Sequence, residues 1–223
     1  MTTVWTVTFK IRRFKQGDNL FYQQFKLEVE PDSFILDAIE KIWAFKDRSL
    51  CYNHACHHST CGACGMRINH RERLTCITPI RAVTRDGGTL LVEPLRTFPV
   101  ISDLAVDMTS LFRKMDLVNA PTLDVVDSAE QMPDCIECGL CISVCPGSQT
   151  SPDYKGPAPL AGTPERQAYL LDDQHGLWRC HSAFECSEVC PSFVDPARRI
   201  MELRKTLFKS TMHRKIFGRG QYE

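Results

Sequence analysis

The stretch Cys135-Ile-Glu-Cys138-Gly-Leu-Cys141-Ile-Ser-Val-Cys145-Pro146 occurs a second time in this chain, with one cysteine changed. The second copy reads Cys180-His-Ser-Ala183-Phe-Glu-Cys186-Ser-Glu-Val-Cys190-Pro191. When the two copies are aligned, every cysteine has a counterpart except Cys138, which stands opposite Ala183. A duplicated cysteine pattern that has lost a single position indicates two metal centres, one of them short of a protein ligand.

The duplicated pattern is typical of bacterial two-cluster ferredoxins, in which the fourth cysteine of each copy binds the cluster of the other copy. This crossing rule predicts a 4Fe–4S cluster with four thiolates, from Cys135, Cys138, Cys141 and Cys190. It leaves three thiolates for the second centre, from Cys145, Cys180 and Cys186. Because alanine offers no donor to a fourth iron, we predict a 3Fe–4S cluster there.

A different cysteine motif lies upstream. Cys56, Cys61 and Cys64 have the plant-type spacing of a 2Fe–2S cluster, and Cys76 follows as the fourth ligand. Of the twelve cysteines in the chain, only Cys51 then has no place in a centre. We expect Cys51 to be an ordinary, partly buried thiol.

Structural zinc is the usual alternative for a pair of closely spaced cysteines. Zinc would explain two pairs of closely spaced cysteines. It would not explain the four-cysteine motif at 135–145, its second copy with one cysteine changed and the plant-type motif together. Disulfides are the other alternative, and they belong to secreted chains. The chain begins without a signal-peptide pattern, so we expect a reducing compartment.

Composition and hydropathy give no support for a nucleic-acid-binding protein or for a membrane-spanning chain. The chain has 223 residues, with 27 Lys and Arg against 27 Asp and Glu, so its charge gives no reason to expect a nucleic-acid partner. No apolar run approaches the roughly 18 residues of a membrane span. Any membrane anchor would therefore belong to another chain.

The first half is predicted to mix strands with one helix. Alternating apolar residues from Trp5 to Ile11 and from Phe25 to Val29 indicate a hairpin, and Met66–Ile68 and Leu90–Val92 indicate further strands. Asp32 or Ser33 is predicted to cap a helix whose apolar face holds Leu36, Ile39 and Trp43. We predict a β-grasp ferredoxin domain over residues 1–103.

The second half is predicted to be helical, giving an α+β chain overall. An apolar stripe from Leu104 to Met115 predicts a helix behind Asp103, and the residues at 118–133 read as a polar connection. Prolines predict an irregular loop over 146–164 and helix starts at Thr163-Pro164 and Asp195-Pro196. We predict an all-helical, bacterial-ferredoxin-like domain over residues 104–223, with two clusters between its helices. The basic tail, from Arg198 to Arg219, is a solvated helix face or a contact for an acidic partner or an anionic membrane.

Histidines lie near several of the cysteines, namely His54, His57, His58 and His181. A Rieske-type histidine ligand is conceivable in such a position. Each motif already has its set of cysteines, so we expect these histidines to be loop residues or to surround the ligands.

Together these motifs resemble the iron–sulfur subunit of succinate dehydrogenase and fumarate reductase. The match is supported by Leu74-Thr-Cys76-Ile-Thr-Pro79, by Val92-Glu-Pro-Leu95, and by Arg179-Cys180-His181-Ser182. The resemblance implies a subunit of an oxidoreductase that relays electrons through 2Fe–2S, 4Fe–4S and 3Fe–4S clusters. It implies a tricarboxylic-acid-cycle or respiratory complex, with no FAD site and no dicarboxylate site on this chain.

The resemblance also implies partners. One is an FAD-containing flavoprotein where succinate and fumarate interconvert, and the other is a quinone-binding membrane anchor, with or without haem. The chain would be a peripheral subunit on the cytoplasmic face of a bacterial membrane. Pro146 and His181 match positions near the quinone.

The sequence departs from the family in two places. His57-His58-Ser59 stands where the family usually has Arg-Glu-Gly, which leaves the ligands intact but changes their surroundings. Gln149 and Thr150 occupy a stretch where the family often has two tryptophans, which favours menaquinone or a differently built anchor.

Two other functions fit parts of the pattern. A soluble, thiol-linked fumarate reductase has a related subunit, but that relative is expected to carry further cysteine-rich sequence. An iron–sulfur sensor is expected to have one labile cluster and a basic output surface, and three clusters with balanced charge disfavour it.

Overall fold

The computed structural model describes residues 4–15, 17, 19–117 and 135–217 of the chain. The predicted polar connection at 118–133 and the end of the basic tail, from residue 218, lie outside these residues. Among the described residues, no helix has both the length and the apolar character needed to cross a membrane.

The first half is a five-stranded sheet with one helix. Strands β1 and β2 form the predicted antiparallel hairpin, and β1 also pairs with β5 in parallel. The order across the sheet is β2-β1-β5-β3-β4. The bounds are β1 Trp5–Arg13, β2 Phe21–Val29, α1 Ile35–Phe45, β3 Gly65–Ile68, β4 Arg71–Leu74 and β5 Thr89–Glu93. The strand β4 was not predicted from the sequence.

The core of this half lies between the sheet and α1. Val7, Phe9 and Ile11 alternate on one face of β1 and are fully buried, as are Ile39 and Ile42 of the helix. Burying side chains of this size stabilises the fold by roughly 1.5–3 kcal/mol each. The prediction that Trp43 belongs to the buried face was wrong, because that side chain remains partly exposed.

The predicted cap of α1 was also wrong. The residue before the helix is Phe34, and its backbone N–H donates to Asp37 Oδ2 at 3.0 Å. The first helical N–H groups, of Ile35 and Leu36, donate to backbone carbonyls of the segment after β4 instead of to a cap. Long-range contacts thus replace the local capping group.

The predicted helix from Leu104 begins later than expected. A hairpin of β6, Val100–Ser102, and β7, Ala105–Val106, comes first, and α2 runs over Thr109–Leu117. Asp103 has a left-handed φ of 48° in the turn and is fully buried. Its carboxylate accepts bonds from Arg13 Nε and from the N–H of Cys51, at 3.0 and 2.9 Å, so these contacts hold a turn where a helix was expected.

The described elements after β7 are all helical. Prolines start two short helices within the stretch that was predicted to be irregular, and Pro196 starts the long last helix as predicted. The bounds are α3 Leu140–Val144, α4 Pro146–Thr150, α5 Pro157–Gly162, α6 Glu185–Glu188 and α7 Pro196–Phe217, with 3-10 turns at Glu165–Leu171 and Leu177–Arg179.

A buried polar network joins the two halves. Ser143 of α3 donates from its hydroxyl to Glu72 of β4 at 2.9 Å and accepts the backbone N–H of Arg96 at 2.8 Å. The guanidinium of Arg96 also donates to Glu72 at 3.1 Å. One apolar core surrounds this network, and it includes Leu74 and Leu95 from the first half and Leu140 and Leu160 from the second.

Candidate metal centres

The first candidate centre lies in the loop between α1 and β3. His57 and Ser59 have left-handed φ values of 61° and 59°, which turn the loop around Cys56. The N–H groups of His58, Thr60 and Cys61 approach Cys56 Sγ at 3.4, 3.3 and 3.3 Å. These bonds, with that from His58 first, lower the pKa of Cys56 to about 6, so the loop stabilises negative charge on sulfur.

The other two cysteines of this centre are held by the hairpin of β3 and β4. Cys64 precedes β3, and Cys76 follows β4. The N–H and hydroxyl of Thr75 both donate to the carbonyl of Cys64, at 3.2 and 3.0 Å. Burial, followed by contact with the Cys64 thiol, raises the pKa of Cys76 to about 12.

The second candidate centre is a small apolar cavity between α3 and the chain before α7. Four cysteines line it, Cys135, Cys138, Cys141 and Cys190. Three come from the first copy of the duplicated motif and one from the second. Burial raises the pKa of Cys138 to about 12 and that of Cys141 above its ordinary value, because no opposite charge compensates a thiolate there.

The third candidate centre is a cavity beside α6. It is lined by Cys145, Cys180 and Cys186, with Ala183 among them. Pro146 and His181, the two positions matched to the quinone vicinity, line the same cavity. Burial raises the pKa of Cys186 to about 12. Left-handed φ values of 55° at Ser182 and 63° at Phe184 curve the chain around this cavity.

The donor set fits iron–sulfur clusters. All twelve cysteines are free thiols, so none is used in a disulfide. Buried thiols in apolar cavities ionise only when a cation compensates their charge, and thiolate is the ligand that holds iron in clusters. The residues of each candidate centre would hold the iron, and in the second and third centres their burial would also exclude water from it.

Tyr154 is a further residue whose surroundings fit a bound group in the third cavity, and no motif in the sequence pointed to it. The side chain is fully buried, and its hydroxyl has no hydrogen-bond partner of good geometry within the described residues. Its nearest ionisable surroundings include Cys180 and Cys145, and burial raises the pKa of Tyr154 above its ordinary value. A buried hydroxyl beside these sulfurs is a ready donor to a sulfur-rich group.

The three candidate centres follow one another without a gap. A Cβ on Gly62, in the first loop, would come within 2.9 Å of the Cβ of Cys138 in the second centre. Glycine is required there because of this close approach and a left-handed φ of 69°. The second and third centres are linked through α3, since Cys141 lies within this helix and Cys145 follows it directly, and α3 packs against α6, which carries Cys186.

The remaining predicted residues lie outside these three groups. Cys51 is partly buried, and its backbone N–H binds Asp103. His58 meets the first centre through its backbone N–H. His54 and His57 contact Glu40 of α1, a residue that the sequence did not single out because it lies on a different element.

Comparison with known proteins identifies the family to which this chain belongs. The "2Fe-2S iron-sulfur cluster binding domain" matches residues 8–113, and the "4Fe-4S dicluster domain" matches residues 131–194. The fumarate reductase iron-sulfur subunit of Escherichia coli O157:H7 is 33% identical over 205 residues, which cover 80% of this chain and 82% of that one.

The chain belongs to the iron–sulfur subunit family of fumarate reductase and succinate dehydrogenase. Another family member, the succinate dehydrogenase iron-sulfur subunit of Coxiella burnetii, is 28% identical over 92% of this chain and 98% of its own length. The solved Mycobacterium smegmatis Sdh1 complex in the apo form contains a chain of the same fold, with a TM-score of 0.78 at 24% identity. That match covers 94% of this chain and 98% of the other.

Family membership confirms part of what the sequence predicted. A 2Fe–2S domain is followed by a 4Fe–4S dicluster domain, as the two kinds of cysteine motif indicated. Members of the family are subunits of an oxidoreductase complex, so the predicted reaction class is confirmed as well.

Proposed function

We propose that this chain is the electron-transfer subunit of a membrane-bound succinate:quinone oxidoreductase. When bound, 2Fe–2S, 4Fe–4S and 3Fe–4S clusters supply one-electron transfer between the FAD of a flavoprotein, where succinate and fumarate interconvert, and quinone at a membrane anchor. The chain would be peripheral, on the cytoplasmic side of a bacterial membrane. Its part is to hold the three centres in a row and to keep water away from the second and third of them.

The proposed ligands are those that line the candidate centres. Cys56, Cys61, Cys64 and Cys76 would hold the 2Fe–2S cluster, Cys135, Cys138, Cys141 and Cys190 the 4Fe–4S cluster, and Cys145, Cys180 and Cys186 the 3Fe–4S cluster. We assign residues 1–103 to a β-grasp ferredoxin domain and residues 104–223 to a helical domain of the bacterial ferredoxin type. The hairpin of β6 and β7 crosses this boundary. We therefore infer that the two domains pack directly against each other there and are not joined by a linker.

One observation carries the proposal, namely the contact between successive centres. The close approach of Gly62 to Cys138, and the packing of α3, which carries Cys141, against α6, which carries Cys186, support a continuous path across the chain. Electron transfer falls steeply with distance, so a row of adjoining centres connects two partners that a single step could not connect. The quinone end would lie at the third centre, beside Pro146 and His181.

Purification of the native assembly from membranes tests this function. We expect a flavoprotein and at least one quinone-binding membrane chain to co-purify with this chain, and succinate to reduce some of its iron–sulfur signals. A chain that purifies alone from membranes and cytosol alike, with no signal that succinate or a quinol changes, would contradict the proposal.

A further inference from the structure

Three side chains beside the cysteine loop converge on one point that the sulfur ligands do not use. Glu40 Oε1 lies 3.5 Å from His54 Nδ1 and 3.2 Å from His57 Nε2. The two imidazole nitrogens are 3.2 Å from each other. These three atoms therefore form a nearly equilateral triangle of one carboxylate oxygen and two ring nitrogens.

Hydrogen bonds do not account for this triangle. A carboxylate oxygen only accepts, and each neutral imidazole nitrogen either donates or accepts. If one ring nitrogen carries the proton, the other nitrogen faces the carboxylate with a lone pair against a lone pair. If both carry protons, both can donate to the carboxylate oxygen, which has two lone pairs, but the two donors then face each other at 3.2 Å. Each arrangement leaves one pair in repulsive contact, whereas a cation at the centre would attract all three atoms.

The spacing matches one kind of cation. Nitrogen and oxygen ligands lie about 2.0–2.1 Å from zinc, so neighbouring ligands in a tetrahedral site are about 3.3 Å apart. The separations found here, 3.2, 3.2 and 3.5 Å, lie around that value. Two histidines with one glutamate are also a known ligand set for zinc with an open fourth position. We propose that Glu40, His54 and His57 bind a divalent transition-metal ion of the zinc type.

The fold holds each of these ligands in place. Glu40 is fixed on α1, and the ring of His54 stacks on Tyr52 with centroids 5.0 Å apart. His57 reaches the same point because its left-handed φ turns it back from Cys56. The side chains of His54 and His57 are each 40% exposed, so the fourth position of the ion is open to water. A bound ion would therefore link the cysteine loop to α1 through its ligands.

Zinc binding by the full chain, with its iron–sulfur clusters intact, tests the proposal. We expect the wild-type protein to retain one zinc ion after anaerobic incubation with Zn²⁺ and gel filtration. Zinc K-edge X-ray absorption should show nitrogen and oxygen ligands at about 2.0 Å and no sulfur at about 2.3 Å. Sulfur ligation would place the zinc at cysteines instead and overturn the proposal, without bearing on the proposed electron relay.

Substitutions locate the ion. Loss of residues that only support a ligand costs about 10–100-fold in metal affinity, so His54→Ala and Glu40→Gln should each weaken zinc binding by more than about 10-fold. His58→Ala is the matched control, since it removes a histidine from the same loop, and it should leave zinc binding unchanged. Glu40→Gln changes a residue of the helix and leaves the sequence of the loop intact, so unchanged zinc affinity in that variant, with iron content intact, would refute the site.

Discussion

At the scale of single residues, Ala183 is the position at which the two copies of the cysteine motif differ in their ligands. It lines the third cavity together with Cys145, Cys180 and Cys186. In the duplicated motif it stands where the first copy has Cys138. We propose that this one difference determines whether the cavity holds three irons or four.

Ala183→Cys tests that assignment. The new thiolate would supply the missing ligand, so we expect the three-iron centre to convert to a four-iron centre in at least part of the protein. The measurement is the loss of the three-iron signal in electron paramagnetic resonance of the oxidised protein, with a rise of one iron per chain. Ala183→Ser is the control, because it adds an atom of similar size without a soft thiolate. An unchanged three-iron signal in folded Ala183→Cys protein would contradict the assignment.

Cys190→Ser tests the crossing of ligands between the two motifs. Cys190 lines the cavity of the second centre although it belongs to the second motif. We therefore expect the substitution to destroy or weaken the four-iron centre and to spare the three-iron centre. Cys51→Ser, outside every proposed ligand set, should leave all the spectra unchanged. Damage confined to the three-iron centre would mean that the crossing rule does not hold here.

Tyr154→Phe tests the buried hydroxyl beside the third centre. A hydrogen bond to a cluster sulfur favours the reduced, more negative state, so its removal should lower the reduction potential. A loss of about 1 kcal/mol of differential stabilisation corresponds to roughly 40 mV for a one-electron step. Potentiometric titration of the three-iron signal measures the shift. Tyr169→Phe, at an exposed position, should produce none, and an equal potential in both variants would exclude a role for the Tyr154 hydroxyl.

At the scale of elements, the network of Ser143, Glu72 and Arg96 fixes α3 against β4. Ser143→Ala removes one bond to a buried carboxylate and one acceptor of a backbone N–H. We expect the protein to lose about 2–3 kcal/mol of stability, since each lost bond costs about 1 kcal/mol and Glu72 loses a donor. The measurement is the denaturant midpoint for loss of cluster absorbance under anaerobic conditions.

The control for this prediction is Ser148→Ala. The hydroxyl of Ser148 is also buried, but it has no hydrogen-bond partner within the described residues. Its removal should leave the midpoint nearly unchanged. Equal effects of the two substitutions would show that the network does not hold the two halves together.

The elements also show what the sequence could not predict. The β1–β2 hairpin was predictable because a strand that buries one face alternates its apolar residues. The strand β4 was not, since Arg71-Glu-Arg-Leu74 is short, charged and ordered only by its pairing with β3. The helix predicted from Leu104 failed because Asp103 takes its partners from Arg13 and Cys51, far away in the sequence.

The candidate centres also combine residues that a local sequence pattern indicates with residues that only distant contacts bring into place. The cysteine sets could be proposed from the sequence because the spacing of ligands within a motif is local, and the crossing rule supplied the distant fourth ligand. Glu40 and Tyr154 could not, because each reaches its site from an element elsewhere in the chain. Side chains brought together only by tertiary packing leave no periodic trace in one sequence.

At the scale of the whole molecule, the three candidate centres all border one apolar core, which includes Cys64 and Cys76 of the first, Cys141 of the second, and Cys145 and Cys186 of the third. The loop of the first meets the second at Gly62, and α3 and α6 pack together between the second and the third. The two halves share this core through Leu74 and Leu160. Such packing is what the proposed relay between two partners requires.

Mössbauer spectroscopy of the intact, iron-57-enriched assembly, combined with a redox titration, tests the central claim most directly. It counts the irons in each kind of cluster. Apart from any haem of the anchor, the account predicts three separate iron–sulfur components, with irons in the ratio two to four to three, each titrating as a one-electron centre. Iron-free protein with zinc bound to sulfur, or two identical four-iron components with no three-iron component, would contradict it.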